Sequence, residues 1–90
     1  AKTALNLNLI NEITREVPLK RAIELAERIA EAAPLAVQAT LASAKEAAEH
    51  GAETAFSNLQ QHLIPLLNTH DVQEGVMAMM QRRAPEFKGL

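Results

Sequence analysis

Cysteine, tryptophan and tyrosine are absent from this chain of 90 residues, and phenylalanine occurs only as Phe56 and Phe87. Without cysteine the chain can form no disulfide, no thiol nucleophile and no zinc–thiolate site. The absence also suits a reducing compartment, so we expect a cytoplasmic protein, or one of the mitochondrial matrix if the source is eukaryotic. No apolar run approaches the roughly 20 residues that a membrane-spanning helix needs, which predicts no membrane partner.

A basic surface is lacking as well. Nine Lys and Arg residues are outnumbered by eleven Asp and Glu residues, and the formal net charge is -2. Nucleic-acid-binding domains usually combine a basic face with stacking aromatics, so nucleic acid is not an expected partner. Ala1 replaces an initiator methionine and is not followed by a signal-type apolar region, so we expect a trimmed or truncated N-terminus.

Residue patterns for catalysis or metal binding are also missing. The three glycines are isolated and cannot form a phosphate loop. His50, His62 and His70 lack i, i+4 spacing and a partner carboxylate on a shared face, which favours solvated or capping histidines over a metal site. Ser43 and Ser57 have no nearby histidine–acid pair. The sequence therefore predicts no catalytic residue and no metal ligand.

Alanine supplies much of the 48% hydrophobic content. It is the best helix former, but its side chain buries little area, so the hydrophobic core should be thin. A domain of this size buries only about 60–65% of the surface that its unfolded chain exposes. We therefore expect the chain to complete its core against another subunit or against a missing part of itself.

Apolar residues recur at helical spacing along most of the chain, which predicts an all-α fold of about four helices with short loops. Pro18 and Pro34 each predict the first turn of a helix. The pair His50-Gly51 predicts a helix C-terminus, and Pro85 predicts the end of the last helix. The predicted helices cover about residues 19–31, 34–49, 52–67 and 71–83. The second is apolar around much of its circumference, so we expect most of it to be buried.

The first 14 residues resemble a short helical end followed by a short extended segment. Leu7, Leu9 and Ile13 alternate with polar residues, a pattern that fits a brief strand. The sequence predicts no second strand, so this segment either pairs with something outside the chain or is not a strand.

The last stretch of the chain is the richest in signals. Thr69 or Asp71 should cap its helix, and Met77, Met79 and Met80 suggest core or interface packing. Arg82, Arg83 and Lys88 surround the lone aromatic Phe87. These cations either compensate the helix dipole beside an anchoring ring, or form a basic patch suited to an anionic nucleotide such as an adenosine phosphate.

The order of residues in this stretch also carries a resemblance. The run Glu-Gly-Val-x-Ala-x-x-x-x-Arg-x-Pro-x-Phe-x-Gly, from Glu74 to Gly89, resembles the C-terminal end of the enoyl-CoA hydratase/isomerase (crotonase) superfamily. Three upstream segments are similar to the family in the same order, namely Leu9-Ile10-Asn11-Glu12-Ile13, residues 22–40 and Asn68-Thr69-His70-Asp71. The sequence departs from the family pattern at Asn8, where glycine is usual, at Leu59, where an acid is common, and at Met79, usually aromatic.

The resemblance implies that residues 1–14 end the catalytic-core segment and that residues 15–90 form the C-terminal helical region. In such proteins this region helps to build a homo-oligomer, a trimer or a dimer of trimers, and covers the acyl-CoA site. A coenzyme A thioester is then the implied substrate, with no covalently bound cofactor. Phe87 and Lys88 would lie near the CoA adenine and phosphate. The catalytic glutamates and the oxyanion hole belong to the preceding core, which no part of this chain matches.

Three hypotheses follow. The chain is an oligomerisation and partner-binding module of a crotonase-fold enzyme, inactive alone. Alternatively, it is an incomplete sequence of such an enzyme. The third possibility is an unrelated helical scaffold module with no CoA-related role.

Overall fold

The computed structural model describes all 90 residues. It contains five α-helices, α1 (Lys2–Asn6), α2 (Pro18–Ala30), α3 (Pro34–His50), α4 (Ala52–Leu67) and α5 (His70–Gln81), and no β-strand. The prediction of an all-α fold is confirmed, and α2 to α5 match the four predicted helices closely. None of the five helices combines the length and the apolar character needed to cross a membrane.

The possible strand at Leu7–Ile13 is not formed. Instead α1 ends in a tight turn, in which Asn8 donates to the carbonyl of Leu5 at 3.0 Å and Leu9 to that of Ala4 at 2.9 Å. This pair of bonds is the Schellman motif, which needs one residue with a left-handed backbone. Asn8 takes that conformation, with φ 56°. Asparagine tolerates this conformation better than most residues, so Asn8 can close the turn without a glycine.

Helices α3 and α4 form the only extensively packed pair. Gly51 alone joins them, with φ 90° and ψ 153°, a conformation essentially restricted to glycine. The predicted helix end at His50-Gly51 is therefore confirmed. Across the pair, the side-chain amide of Asn58 donates to Glu46 at 2.6 Å, and Nε2 of His62 lies 3.4 Å from the other Glu46 oxygen.

Very little of the chain is buried. Only Ala55, Ala78 and Asp71 are buried, and none of the three is a large apolar side chain. The expectation that most of α3 would be buried is wrong, because no residue of α3 is buried and Leu41 is 53% exposed. The methionines do not fill a core of this chain either, since Met79 is 73% exposed.

The overall shape explains this exposure. The molecule measures 43 × 35 × 18 Å, and its radius of gyration is 16.6 Å, against about 12 Å for a compact domain of this length. Its accessible surface is 7585 Å², whereas a compact monomer of its mass exposes about 5,200 Å². The helices form a thin slab with no closed core of its own, as the high alanine content predicted.

Candidate functional site

Residues 84–90, called here the C-terminal strap, fold back along α5. The reversal follows a second Schellman turn, in which Arg82 donates to Met79 and Arg83 to Ala78. Arg82 occupies the left-handed position with φ 54°. Pro85 then prevents the strap from continuing the helix. The strap is held against α5 at three places, around Glu74, Gly75 and Asp71.

Thr69 is the residue that caps α5. Its hydroxyl oxygen accepts from the Val72 N–H at 3.3 Å, and its O–H donates to the Leu66 carbonyl at 2.7 Å. Of the two predicted caps, Thr69 is thus the correct one. Asp71, which lies inside the first turn, is free to bond elsewhere.

Asp71 anchors the end of the strap. The residue is only 4% exposed. One carboxylate oxygen accepts from the backbone N–H of Lys88 at 2.8 Å, and the other accepts from that of Gly89 at 2.7 Å. In return, the N–H of Asp71 donates to the carbonyl of Leu90 at 3.1 Å. Three hydrogen bonds therefore join one residue of α5 to three consecutive residues of the strap.

Glu74 anchors the beginning of the strap. Its two carboxylate oxygens accept from the two terminal nitrogens of Arg83, a bidentate ion pair. The backbone N–H of Glu86 also donates to Glu74, at 2.9 Å. The Arg83 guanidinium and then this N–H lower the pKa of Glu74 to about 2. The same pair raises the pKa of Arg83.

Phe87 lies between these two anchors. A Cβ added to Gly75 would lie 3.5 Å from one carbon of the Phe87 ring and 3.7 Å from another, so the ring packs over the glycine. The half-buried ring also lines a cavity of about 330 Å³. The other lining residues are Ala33, Leu35, Ala36, Leu66, Thr69, Asp71, Val72, Gly75, Val76 and Met79. This cavity joins the start of α3, the end of α4, α5 and the strap.

The two sequence-predicted site residues, Phe87 and Lys88, are thus neighbours on an anchored strap. Of the three cations that could form a basic patch around them, Arg83 is paired with Glu74. Arg82 and Lys88 are exposed and form no ion pair, which leaves them as the cations available to an anion. An exposed lysine beside an aromatic ring can contact a phosphate and a base together.

No group of three or more His, Asp or Glu side chains could hold a metal ion. His62 does find a carboxylate, although on another helix, since it approaches Glu46. The Asn58 amide, and then His62, lower the pKa of Glu46. The hydroxyl of Ser57 donates to the backbone carbonyl of Glu53, and neither Ser43 nor Ser57 forms a hydrogen bond with a histidine.

The role of Asp71 as an anchor was not predicted. Its spacing to Glu74 fitted a capping box, and its partners are backbone groups 17 and 18 residues away. Every residue except proline has a backbone N–H group, so no side-chain pattern marks such donors. The available signal was the presence of Thr69, a competent cap two residues earlier, which left Asp71 without a local role.

Several relatives match this chain over almost all of its length. It is 30% identical over 90 residues to the 2,3-dehydroadipyl-CoA hydratase of Escherichia coli, and 39% identical over 94 residues to the (E)-benzylidenesuccinyl-CoA hydratase of Thauera aromatica. Each match covers 99% of this chain and 35% of the relative. The chain therefore spans about a third of the length of these relatives. No protein-family model matches it.

Solved structures agree with the sequence comparison. A probable enoyl-CoA hydratase/isomerase from Mycobacterium abscessus superposes with a TM-score of 0.87 at 33% identity, over 100% of this chain and 35% of that one. An enoyl-CoA hydratase from Mycobacterium tuberculosis gives 0.84 at 33% identity, over 99% and 36%.

Fold and strap together define an all-helical region with an open apolar surface and an anchored, cation-bearing C-terminal segment. All of these relatives and structures are enoyl-CoA hydratase/isomerase (crotonase) family members, and the chain matches their C-terminal helical part.

Proposed function

We propose that this chain serves as the assembly and covering region of an acyl-CoA hydratase or isomerase. One observation carries the proposal: helices and strap together superpose on the matching third of enoyl-CoA hydratases with TM-scores of 0.84 and 0.87. In this role the chain covers an acyl-CoA site whose catalytic groups lie in another part of the protein. The relatives named above are bacterial, which gives the mitochondrial matrix no support and keeps a cytoplasmic location as part of the proposal.

The exposed surface supports a role in assembly. The chain exposes about 2,400 Å² more than a compact monomer of its mass would, the difference between 7585 and about 5,200 Å². A stable interface commonly buries about 800 Å² on each partner, so the excess is sufficient for more than one interface. The proposed partners are further copies, as a trimer or a dimer of trimers, and the catalytic core.

The strap supports a role in CoA recognition. Lys88 is exposed and forms no ion pair, and Phe87 beside it lines a cavity of about 330 Å³. We assign these two residues to the adenine and phosphate of coenzyme A. Both named relatives are CoA hydratases, so a CoA thioester is the substrate class that fits the proposal.

The chain alone should not catalyse the reaction. A general acid needs a pKa raised towards neutrality, whereas Glu46 and Glu74 both have a lowered pKa and stay ionised. We expect the purified 90-residue chain, checked by intact mass, to leave an enoyl-CoA thioester unchanged. Hydration of the thioester by that chain would refute the proposed division of roles.

Isothermal titration of the chain with free CoA separates this function from a helical scaffold with no CoA role. We expect binding that weakens in Phe87→Ala and in Lys88→Ala. The matched control is Lys45→Ala on α3, which should bind like the parent chain. Equal affinities in all three variants would remove Phe87 and Lys88 from the site, and the absence of any binding by the parent would favour the scaffold.

A further inference from the structure

Asp71 differs from the other acidic residues of the chain in its burial and in its hydrogen-bond partners. It is the one buried charged residue, and both of its oxygens accept hydrogen bonds from the strap. A buried carboxylate is stable only when its oxygens are hydrogen-bonded. Helix capping does not require Asp71, because Thr69 already accepts the orphan N–H of Val72. The role of the Asp71 side chain is therefore to bind the strap.

The donors identify what Asp71 controls. One is the backbone N–H of Lys88, the residue that presents the free ammonium group, and the other belongs to Gly89. Gly89 has φ 73°, a conformation that favours glycine and lets two successive N–H groups point at one carboxylate. Phe87 precedes this pair directly, and Asp71 and Phe87 line the same cavity. Holding the peptides of Lys88 and Gly89 in place therefore also sets the positions from which the Phe87 ring and the Lys88 side chain extend.

We propose that Asp71 is a positioning residue for CoA recognition, which holds the Lys88 and Gly89 peptides so that Phe87 and Lys88 are arranged before the nucleotide arrives. The inference rests on the proposed assignment of Phe87 and Lys88 to CoA. Asp71 itself does not touch the ligand. Its contribution is preorganisation, because a segment that is already ordered loses less entropy when it binds.

The substitution Asp71→Asn tests this in the full chain with free CoA as the probe. Asparagine keeps one acceptor oxygen but turns the second into an NH2 group that faces an N–H donor. We expect about tenfold weaker CoA binding and about tenfold faster hydrogen exchange at the Lys88 and Gly89 amides. The matched control is Glu53→Gln, another acid-to-amide change in the first turn of a helix, whose exposed side chain forms no hydrogen bond. It should change neither quantity.

A second variant covers the case in which Asp71→Asn fails to fold. Gly89→Pro removes one of the two donors and forbids the positive φ, but leaves α5 untouched, and it should weaken CoA binding similarly. Unchanged hydrogen exchange at the Lys88 amide in Asp71→Asn would show that Asp71 does not anchor the strap. Faster exchange with unchanged CoA affinity would overturn positioning while leaving the proposed function intact. A parent chain that fails to bind CoA would refute the proposed function and positioning together, and amide exchange would still report whether Asp71 holds the strap.

Discussion

The guanidinium group of Arg83 reaches back nine residues to hold both carboxylate oxygens of Glu74. This pair closes the turn at the end of α5, and the N–H of Glu86 completes it. A guanidinium group that donates two parallel hydrogen bonds to a carboxylate fixes the orientation of the two side chains as well as the distance between them. The pair thus directs the chain out of the helix and back towards Asp71, where the strap ends.

Acid should weaken this closure within a defined pH window. The pKa of Glu74 is about 2 in the folded chain and 4.5 ordinarily, so its stabilising effect is complete above about pH 4.5 and is lost as the pH falls towards 2. We expect the melting temperature of the parent to exceed that of Glu74→Gln at neutral pH and the difference to vanish near pH 2. Glu53→Gln is the control, and a difference that persists at pH 2 would contradict the assignment.

Arginine should not be replaceable by lysine at position 83. Arg83→Lys keeps the positive charge but cannot donate to both oxygens in the same plane. We expect the pKa of Glu74 to rise towards its ordinary 4.5, as measured by carboxyl ¹³C shifts during a pH titration. Arg82→Lys is the control, because Arg82 forms no ion pair. An unchanged titration of Glu74 in Arg83→Lys would show that charge alone is responsible.

Gly75 should tolerate alanine but not a larger residue. An added Cβ would lie 3.5 Å from the Phe87 ring, an ordinary contact distance. Gly75→Ala should therefore raise stability by up to about 1 kcal/mol, the helix-propensity difference between the two residues. Gly75→Leu should instead displace the ring, which chemical shifts of the Phe87 ring protons would detect. A destabilised alanine variant would show that the ring packs more tightly than the structure indicates.

Gly51 should show the opposite behaviour. Nothing lies within 4 Å of the position of an added Cβ, yet the φ of 90° and ψ of 153° disfavour every other residue. We expect Gly51→Ala to cost about 1–3 kcal/mol in the free energy of unfolding, through backbone strain alone. Thermal or urea unfolding of Gly51→Ala, compared with that of Gly75→Ala, measures this loss of stability, because the same side chain is added at both sites. Equal effects of the two substitutions would rule out strain at the α3–α4 connection.

Phe56 should contribute to self-association. It is 79% exposed on α4, an unusual position for one of the two aromatic residues of this chain. We expect Phe56→Asp to shift the chain towards monomer in size-exclusion chromatography with light scattering, because a charge in an apolar interface is costly. Gln60→Asp, at an exposed polar position of the same helix, should not. A parent chain that is monomeric at high concentration would contradict the proposed assembly role.

Local features were predictable from sequence because their causes are local. The prolines at 18 and 34 begin helices α2 and α3, Gly51 ends α3, and Thr69 caps α5, each through a bond or a torsion within a few residues. Of the two alternatives for residues 7–13, the structure has no strand, and alternation of apolar residues could not reveal that Asn8 closes a Schellman turn. The two predicted site residues, Phe87 and Lys88, lie on the strap, and their assignment to a ligand stays a prediction.

Sequence by itself determined the all-helical class, the helix bounds and the resemblance to the crotonase superfamily. Only the tertiary structure decided that α3 is exposed, that Arg83 is bound to Glu74, and that Asp71 holds the backbone of the strap. The physical reason is the separation along the chain of the residues that interact. Helix formation depends on residues three or four apart, whereas burial and ion pairing depend on which segments meet. The backbone N–H donors that Asp71 binds occur in every residue except proline, so the sequence does not distinguish them.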